Sequence, residues 1–499
     1  MHLDLFFPGE AVQEATAFRI TRNADMAVRE DLAGDLLSQM RRVLTQRRES
    51  ACVRLEIQSG ASPECMRFLK SRFGVVARDI YETQEPLALA SFFTLGVASG
   101  DDTLRAKAWP PCASPLAPPN ASMFTLLAAR DLLLLHPFES FEPVQRLVQQ
   151  AADDPDVLAI KQILYRTGPN SPIVAALARA AEHGKQVTVI VELKARFDEA
   201  RNIGWAEALE QAGVQVIYGI KGLKTHAKLC LIIRREATGI RRYLHAGTGN
   251  YNETTARLYT DVSLMTSNPD MAADASLFFN TITGYSQPAK YRKLEAAPIG
   301  LRDRLLELIG AETARAAEGQ PARIMAKINA LADPRLIEAL YAASKAGVRV
   351  DLNVRGVCCL RPGVTGLSET IRVVSIVDRF LEHSRVFYFH GGGERKVFIS
   401  SADWMPRNLD KRIELLVPVE SPDCRDRLIE LLKTDMADTV KGRWLQPDGS
   451  YGRQKASGRK AVRSQEVLYR ESSRRETEAA RARTPVFEPH RPPSSGGRS

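Results

Sequence analysis

Short apolar runs alternate with amphipathic stretches of helical length along most of the chain, and turn residues separate them. Residues 17–21 and 52–57 read as strands and residues 31–47 and 64–73 as helices, so roughly the first 115 residues form a small α/β module. The module opens on an apolar stretch, residues 1–9, with no helix cap or lead-in, as expected of a domain whose first part is absent. A proline-rich segment at 107–120 reads as a linker or boundary. Helices are predicted at 123–135 and 143–152, with His136 before a proline in a structural role. From 157 the order becomes strand (157–164), helix (173–183), strand (187–193), helix (205–212) and strand (214–218). The runs 229–233 and 242–245 add two further strands.

The second half repeats this pattern. A helix at 337–345 closes at Gly347, as the earlier one closes at Gly184, and the strand running into Arg355 parallels the one that ends near Arg196. Residues 380–389 carry a His-x-Arg that restates the His-x-Lys of His226 and Lys228, 157 residues earlier. The strand 396–400, entering Ser401-Ala402-Asp403-Trp404, restates the one that enters Gly247-Thr248-Gly249-Asn250. Such a repeat predicts two homologous α/β domains facing one another across a shared site. One more helix is expected at 424–441. The remainder is read as a disordered basic tail with a transient helix near 472–482.

His226 and Lys228, two apart before an apolar run, are expected to project from one strand into one pocket. An imidazole can attack phosphorus and carry the group covalently, while an ammonium offsets the charge of non-bridging oxygens. The glycines around Thr248 let backbone N–H groups approach an anion. Ligands of parallel α/β sheets gather beyond the C-terminal strand ends, where Arg166 and Arg196 fall and Lys221, Lys224 and Lys228 arrive.

Composition narrows the class. The chain has 499 residues, 44% hydrophobic and 26% charged, enough for two to four soluble domains. No apolar run reaches the roughly 18 residues of a membrane span, and no basic region precedes the short apolar start as in a secretory signal. Seven scattered cysteines and no C-x-x-C point to reduced thiols in the cytoplasm and away from structural zinc. The net charge of +10 is concentrated in residues 451–499, where twelve Lys and Arg stand against five Glu. That tail is expected to be solvated, with nonspecific attraction to polyanions as its candidate role.

The strings AIKQILYRTGPNSPIV, ELKARFDEARNI, GLKTHAKL, HAGTGNYNETTARLYTD, NVRGVCCLRPGV, RFLEHSRVFYF and SSADWMPRNLDKRIE make residues 155–445 resemble the catalytic half of the polyphosphate kinase family, whose two C-terminal domains are similar to phospholipase D. LFFPG, FRITRNADM and LLLLHPFESF resemble part of the family's head domain. The resemblance implies a partial head domain at 1–118, phospholipase D-like domains at 119–295 and 296–446, and a tail at 447–499. It implies reversible transfer of the ATP γ-phosphate to polyphosphate, with His226 as nucleophile and phosphohistidine. His383 would lie across the interface at the nucleotide, as a binding residue or proton donor. Tyr259 and Arg355 would contact ATP, Lys221, Lys228 and Asn250 would line the phosphate cradle, and Arg166 and Arg196 would hold phosphate oxygens that in turn hold Mg2+. Partners are then ATP or ADP, polyphosphate and a second copy in a homo-oligomer. The family's N-terminal helical domain is missing from this sequence.

Two rival readings remain at this level. A phospholipase D-like phosphodiesterase would use the same paired histidines, although neither repeat shows the aspartate such enzymes place shortly afterwards. A catalytically impaired paralogue would bind polyphosphate or nucleic acid through its cations.

Overall fold

The computed structural model describes residues 3–23, 36–84, 86–95, 100, 102–104, 106–168, 170–193, 198–220, 222–284, 290–453 and 461–483. The chain divides into two compact units, Met1–Ala108 and Trp109–Ser499.

In the first unit the strand Cys52–Gln58 lies between Phe18–Arg22, antiparallel to it, and Ile80–Thr83, parallel to it. The helix Pro63–Phe73 starts where the Ser62 hydroxyl accepts from Cys65 N, has proline at its first position, and ends at Gly74 in the left-handed region (φ 63°). Leu55, Ile57, Leu69 and Val75 form its buried core.

The second unit contains the predicted pair of domains. In the first sheet the strands Tyr259–Thr266, Gly239–Gly247, Leu229–Glu236, Val157–Leu164, Gln186–Val191 and Gln215–Tyr218 lie side by side in that order. The second sheet repeats it with Arg412–Pro418, Lys396–Ser400, Val386–Phe389, Arg323–Ile328, Arg349–Val354 and Ile371–Ile376. Parallel pairing around Val157–Leu164 and Arg323–Ile328 comes from strand–helix–strand units. Their helices, Pro172–Glu182 and Pro334–Lys345, turn into the next strand at Gly184 (φ 78°) and Gly347 (φ 95°), a conformation that costs glycine little.

One apolar core joins the two sheets. Leu229, Leu231, Leu244 and Leu264 of the first pack in one cluster with Val386, Ile399, Ile413 and Leu415 of the second. Full burial of such side chains is worth roughly 1.5–3 kcal/mol each, so the shared cluster holds the two halves together. Each sheet also borrows an edge strand from the other half: Lys224–Thr225 pairs in parallel with Arg412–Pro418, and Leu381–Glu382 with Tyr259–Thr266.

Four expectations change. The predicted helix 123–135 ends at Ala129, and Leu132–His136 is a buried strand paired antiparallel to Tyr259–Thr266. A short run of leucines does not by itself distinguish strand from helix, and here sheet pairing decides. Neither histidine lies within a strand. His226 to Lys228 form a connector between Lys224–Thr225 and Leu229–Glu236, and His383 stands between Leu381–Glu382 and Val386–Phe389. Residues 109–118 belong with the second unit, where Cys112 N donates to Phe138 O and Ser140 N to Cys112 O, both at 2.9 Å. Finally, residues 461–483 are no disordered tail. They carry the helix Ser464–Arg483, with Ser464, Gln465 and Leu468 buried and Tyr469 stacked on Trp109. Its abundant Arg and Glu form i, i+4 pairs on the exposed face, which is why composition alone reads as disorder. Residues 454–460 and 484–499 of the predicted tail lie outside the described residues.

Candidate active site

Each borrowed strand leads directly into its histidine. Thr225 N donates to Glu192 Oε2 at 2.7 Å, and the backbone N–H groups of His226 and Ala227 both donate to Ile413 O at 2.9 Å. This register sets the imidazole of His226 over Glu414, with Nδ1 2.8 and 3.0 Å from the two carboxylate oxygens. Asn408 Nδ2 donates to the same carboxylate at 2.7 Å, and the Tyr165 ring meets the imidazole edge-on at 5.2 Å.

The other half reciprocates. His383 N donates to Thr260 Oγ1 at 3.1 Å, and His383 Nδ1 lies 2.8 and 3.0 Å from the oxygens of Asp261, which also accepts from Thr248 Oγ1 at 2.6 Å. Each histidine is thus held through Nδ1 by a carboxylate from the opposite repeat. Asp261 and Glu414 occupy the same place, the third residue of Tyr259–Thr266 and of Arg412–Pro418. Neither was singled out in the sequence. The available signal was an acidic residue inside an otherwise apolar strand of each repeat.

The cations match in position and differ in pairing. Lys228 Nζ donates to the carbonyl of His226, and Arg385 Nη1 to that of His383 at 2.8 Å. Beside them the loop backbones superpose in pattern: Gly247 N donates to Lys228 O and Ser400 N to Arg385 O. Three residues further, Asp403 accepts from Arg385 Nε and Nη2 at 3.2 Å each, whereas Asn250 stands at the matching position with a neutral amide. The buried Oδ1 of Asn250 has no hydrogen-bond partner among the described residues. Arg385 is neutralised by its neighbour; Lys228 has no such carboxylate at Asn250.

Burial dominates the titration of this cluster. His226 is held well below the ordinary histidine range by burial, then by Lys228, Arg412 and Arg385, so its ring is neutral. His383 is also lowered by burial, against the pull of Asp261. Burial lowers Lys228 to about 7 and raises Glu414 to about 7. For Asp403 burial acts upward, but Arg385 outweighs it and the carboxyl falls to about 2. In Asp261 the His383 ring and Thr248 hydroxyl likewise overcome burial and lower it. Lys228 helps depress His383 and Arg385 helps depress His226, so the two half-sites share one field.

Other predicted residues gather around this centre. The Tyr259 ring lies 5.3 Å from that of His383. Arg355, just past the strand Arg349–Val354, donates from Nη1 to Glu382 O at 2.8 Å. Arg166 pairs with Asp198 at 2.9 Å and lies 5.6 Å from the Tyr165 ring, one side chain removed from His226. Arg196 and Lys221 lie outside the described residues. His136 and His245 are structural: both are buried and share Ser263 Oγ at 3.0 Å through their Nε2 atoms. Arg412 and Tyr165, beside His226, are additions that sequence reasoning missed.

A neutral imidazole held through Nδ1 presents a lone pair at Nε2, and it sits among cations suited to phosphate. Among the described residues no three carboxylate, imidazole or thiol groups gather as a metal site. The donors suit a metal that arrives already bound to phosphate oxygens rather than a bare ion.

Residues 1–95 match the polyphosphate kinase middle domain, residues 122–288 polyphosphate kinase C-terminal domain 1, and residues 294–465 polyphosphate kinase C-terminal domain 2. A polyphosphate kinase of Rhodopirellula baltica is 56% identical over 491 residues, covering 98% of this chain, which spans 58% of that relative's length. One from Pseudomonas aeruginosa is 47% identical over 463 residues, 93% of this chain and 67% of the relative. The crystal structure of polyphosphate kinase from Porphyromonas gingivalis is similar with a TM-score of 0.80 at 33% identity, over 96% of this chain and 70% of that one.

Proposed function

The chain belongs to the polyphosphate kinase family, and we propose that its paired half-sites transfer the γ-phosphate of ATP reversibly to inorganic polyphosphate through a phosphohistidine at His226. The observation that carries this reading is the unequal pairing of the two cations. Asp403 neutralises Arg385, whereas the matching position in the first repeat is Asn250, a neutral amide that leaves Lys228 without the equivalent carboxylate.

Glu414 accepts a hydrogen bond from Nδ1–H, which leaves Nε2 unprotonated. Nε2 attacks the γ-phosphorus in line, an N–P bond forms, and the bond to the bridging oxygen breaks with its electron pair leaving on ADP. The resulting imidazolium keeps its Nδ1 proton against Glu414. Lys228, with Arg412 beside it, offsets charge on the non-bridging oxygens. In the second step a terminal oxygen of polyphosphate attacks the phosphohistidine, the N–P electron pair returns to Nε2, and the polymer is one unit longer. Tyr259 and Arg355 flank the nucleotide beside His383, which binds it or donates a proton to the leaving oxygen. Lys221 belongs to the phosphate cradle. Arg166 and Arg196 hold phosphate oxygens of the metal–nucleotide complex, in which Mg2+ supplies neutralisation of phosphate charge. The free cysteines support a cytoplasmic location, where thiols stay reduced.

Labelling with [γ-32P]ATP tests the reading. Acid-labile, base-stable label is expected on the wild type and none on His226→Ala. Equal labelling of both would remove His226 from the reaction, and cleavage of a phosphodiester without ATP would favour the phosphodiesterase alternative.

A further inference from the structure

The helix Ser464–Arg483 reaches the second half-site through one side chain. Gln465 is fully buried and uses its whole amide there. Its Oε1 accepts from Phe380 N at 2.9 Å, while Nε2 donates to Phe380 O at 2.9 Å and to Glu382 Oε1 at 2.6 Å. A side-chain amide that satisfies both main-chain groups of one residue acts as a one-residue strand partner and fixes the backbone there.

Glu382 passes the constraint onward. Its Oε2 accepts from Thr260 Oγ1 at 2.8 Å, the same hydroxyl oxygen accepts from His383 N at 3.1 Å, and its carbonyl accepts from Arg355 Nη1 at 2.8 Å. Buried Lys327, shared between Glu382 and Asp435, offsets part of the charge of this hub. The helix that supplies Gln465 is itself pinned. Asp438 Oδ2 accepts from Ser464 N at 2.7 Å and from its hydroxyl at 2.8 Å. Arg463 forks onto Asp378, and Tyr469 stacks on Trp109 with centroids 5.2 Å apart. A chain of direct hydrogen bonds therefore runs from the last helix to the backbone of His383 and to the guanidinium of Arg355.

We infer that Gln465 is a positioning residue for His383 and Arg355, so that the helix Ser464–Arg483 sets the geometry of the second half-site. The consequence for turnover rests on the function proposed above; the positioning itself does not.

The test uses the full chain with Gln465→Met, which keeps the length of the side chain and removes its amide, and Gln465→Glu, which turns a carboxylate toward Glu382. Hydrogen exchange read by mass spectrometry over residues 378–386 reports the positioning without any need for activity. Both variants are expected to lose amide protection at Leu381 and His383. Assayed well below the thermal midpoint, they are expected to show kcat lower by roughly ten- to a hundredfold, with KM raised for ATP and unchanged for polyphosphate. Wild-type protection of these amides in either folded variant overturns the inference. So does lost protection with wild-type kcat and KM. If one variant does not fold, the other decides. A wild type that transfers no phosphate defeats the functional reading, while the exchange result still decides the positioning.

Discussion

At the scale of single residues, two groups near neutrality govern the first half-site in opposite directions. Glu414 titrates at about 7, and below that pH its carboxyl gains a proton that it donates to Nδ1, which moves the ring proton to Nε2 and blocks attack. Lys228 also titrates at about 7, and above that pH it loses the charge that faces phosphate. The rate of His226 labelling is therefore expected to be bell-shaped about neutral pH. In Lys228→Arg the alkaline limb should disappear while the acid limb stays, and single-turnover labelling between pH 5.5 and 9 reads both. Asn250→Asp gives Lys228 the counter-charge that Asp403 gives Arg385. It is expected to raise the KM for ATP and polyphosphate by roughly tenfold, a change of about 1.4 kcal/mol, in steady-state kinetics. His226 with Lys228 and His383 with Arg385 stood out in the sequence through the internal repeat and the family resemblance, since a single His-x-Lys carries little by itself. Asp261 and Glu414 did not, because each acts on a histidine of the other repeat, 122 and 188 residues distant in sequence.

At the scale of elements, the two-residue strands Lys224–Thr225 and Leu381–Glu382 carry more function than their length suggests. Each fixes the register that seats a histidine over its carboxylate. Thr225→Pro removes the N–H that Glu192 holds while leaving the bonds of His226 and Ala227 to Ile413 O. It is expected to cost about 1–3 kcal/mol in chemical denaturation, since a buried carboxylate oxygen loses one donor. The labelling rate should fall further than that stability loss explains. Apolar runs set between turns and helices, such as Val157–Leu164 and Gln186–Val191, were readable as buried strands. The short borrowed strands were not, because two residues carry no period and their pairing is decided by the opposite sheet. The run Leu132–His136 failed for a related reason: continuous burial erases the alternation that marks a strand.

At the scale of the whole molecule, the shared core and the exchanged strands make the two repeats one functional unit. Residues 109–284 expressed alone leave His226 without Glu414 and expose the face that packs on Val386, Ile399 and Leu415. That fragment is expected to take no label from [γ-32P]ATP, and co-expression with residues 290–483 should restore it; label on the isolated fragment would contradict this account. The order of the pieces was legible from the internal repeat. The docking of the last helix was not, since its charged outer face dominates its composition while Gln465 and Leu468 face inward.

The cross-repeat bond between His226 and Glu414 also has a meaning in time. A ribosome adds about 5–20 residues per second, so the 188 residues between them take roughly 10–40 s to make. Throughout that interval the nascent chain carries His226 without the carboxylate that holds its Nδ1. On the proposed mechanism the growing polypeptide is expected to take no phosphate from ATP until its second half has been synthesised and has docked, so that completion of the fold is what arms it.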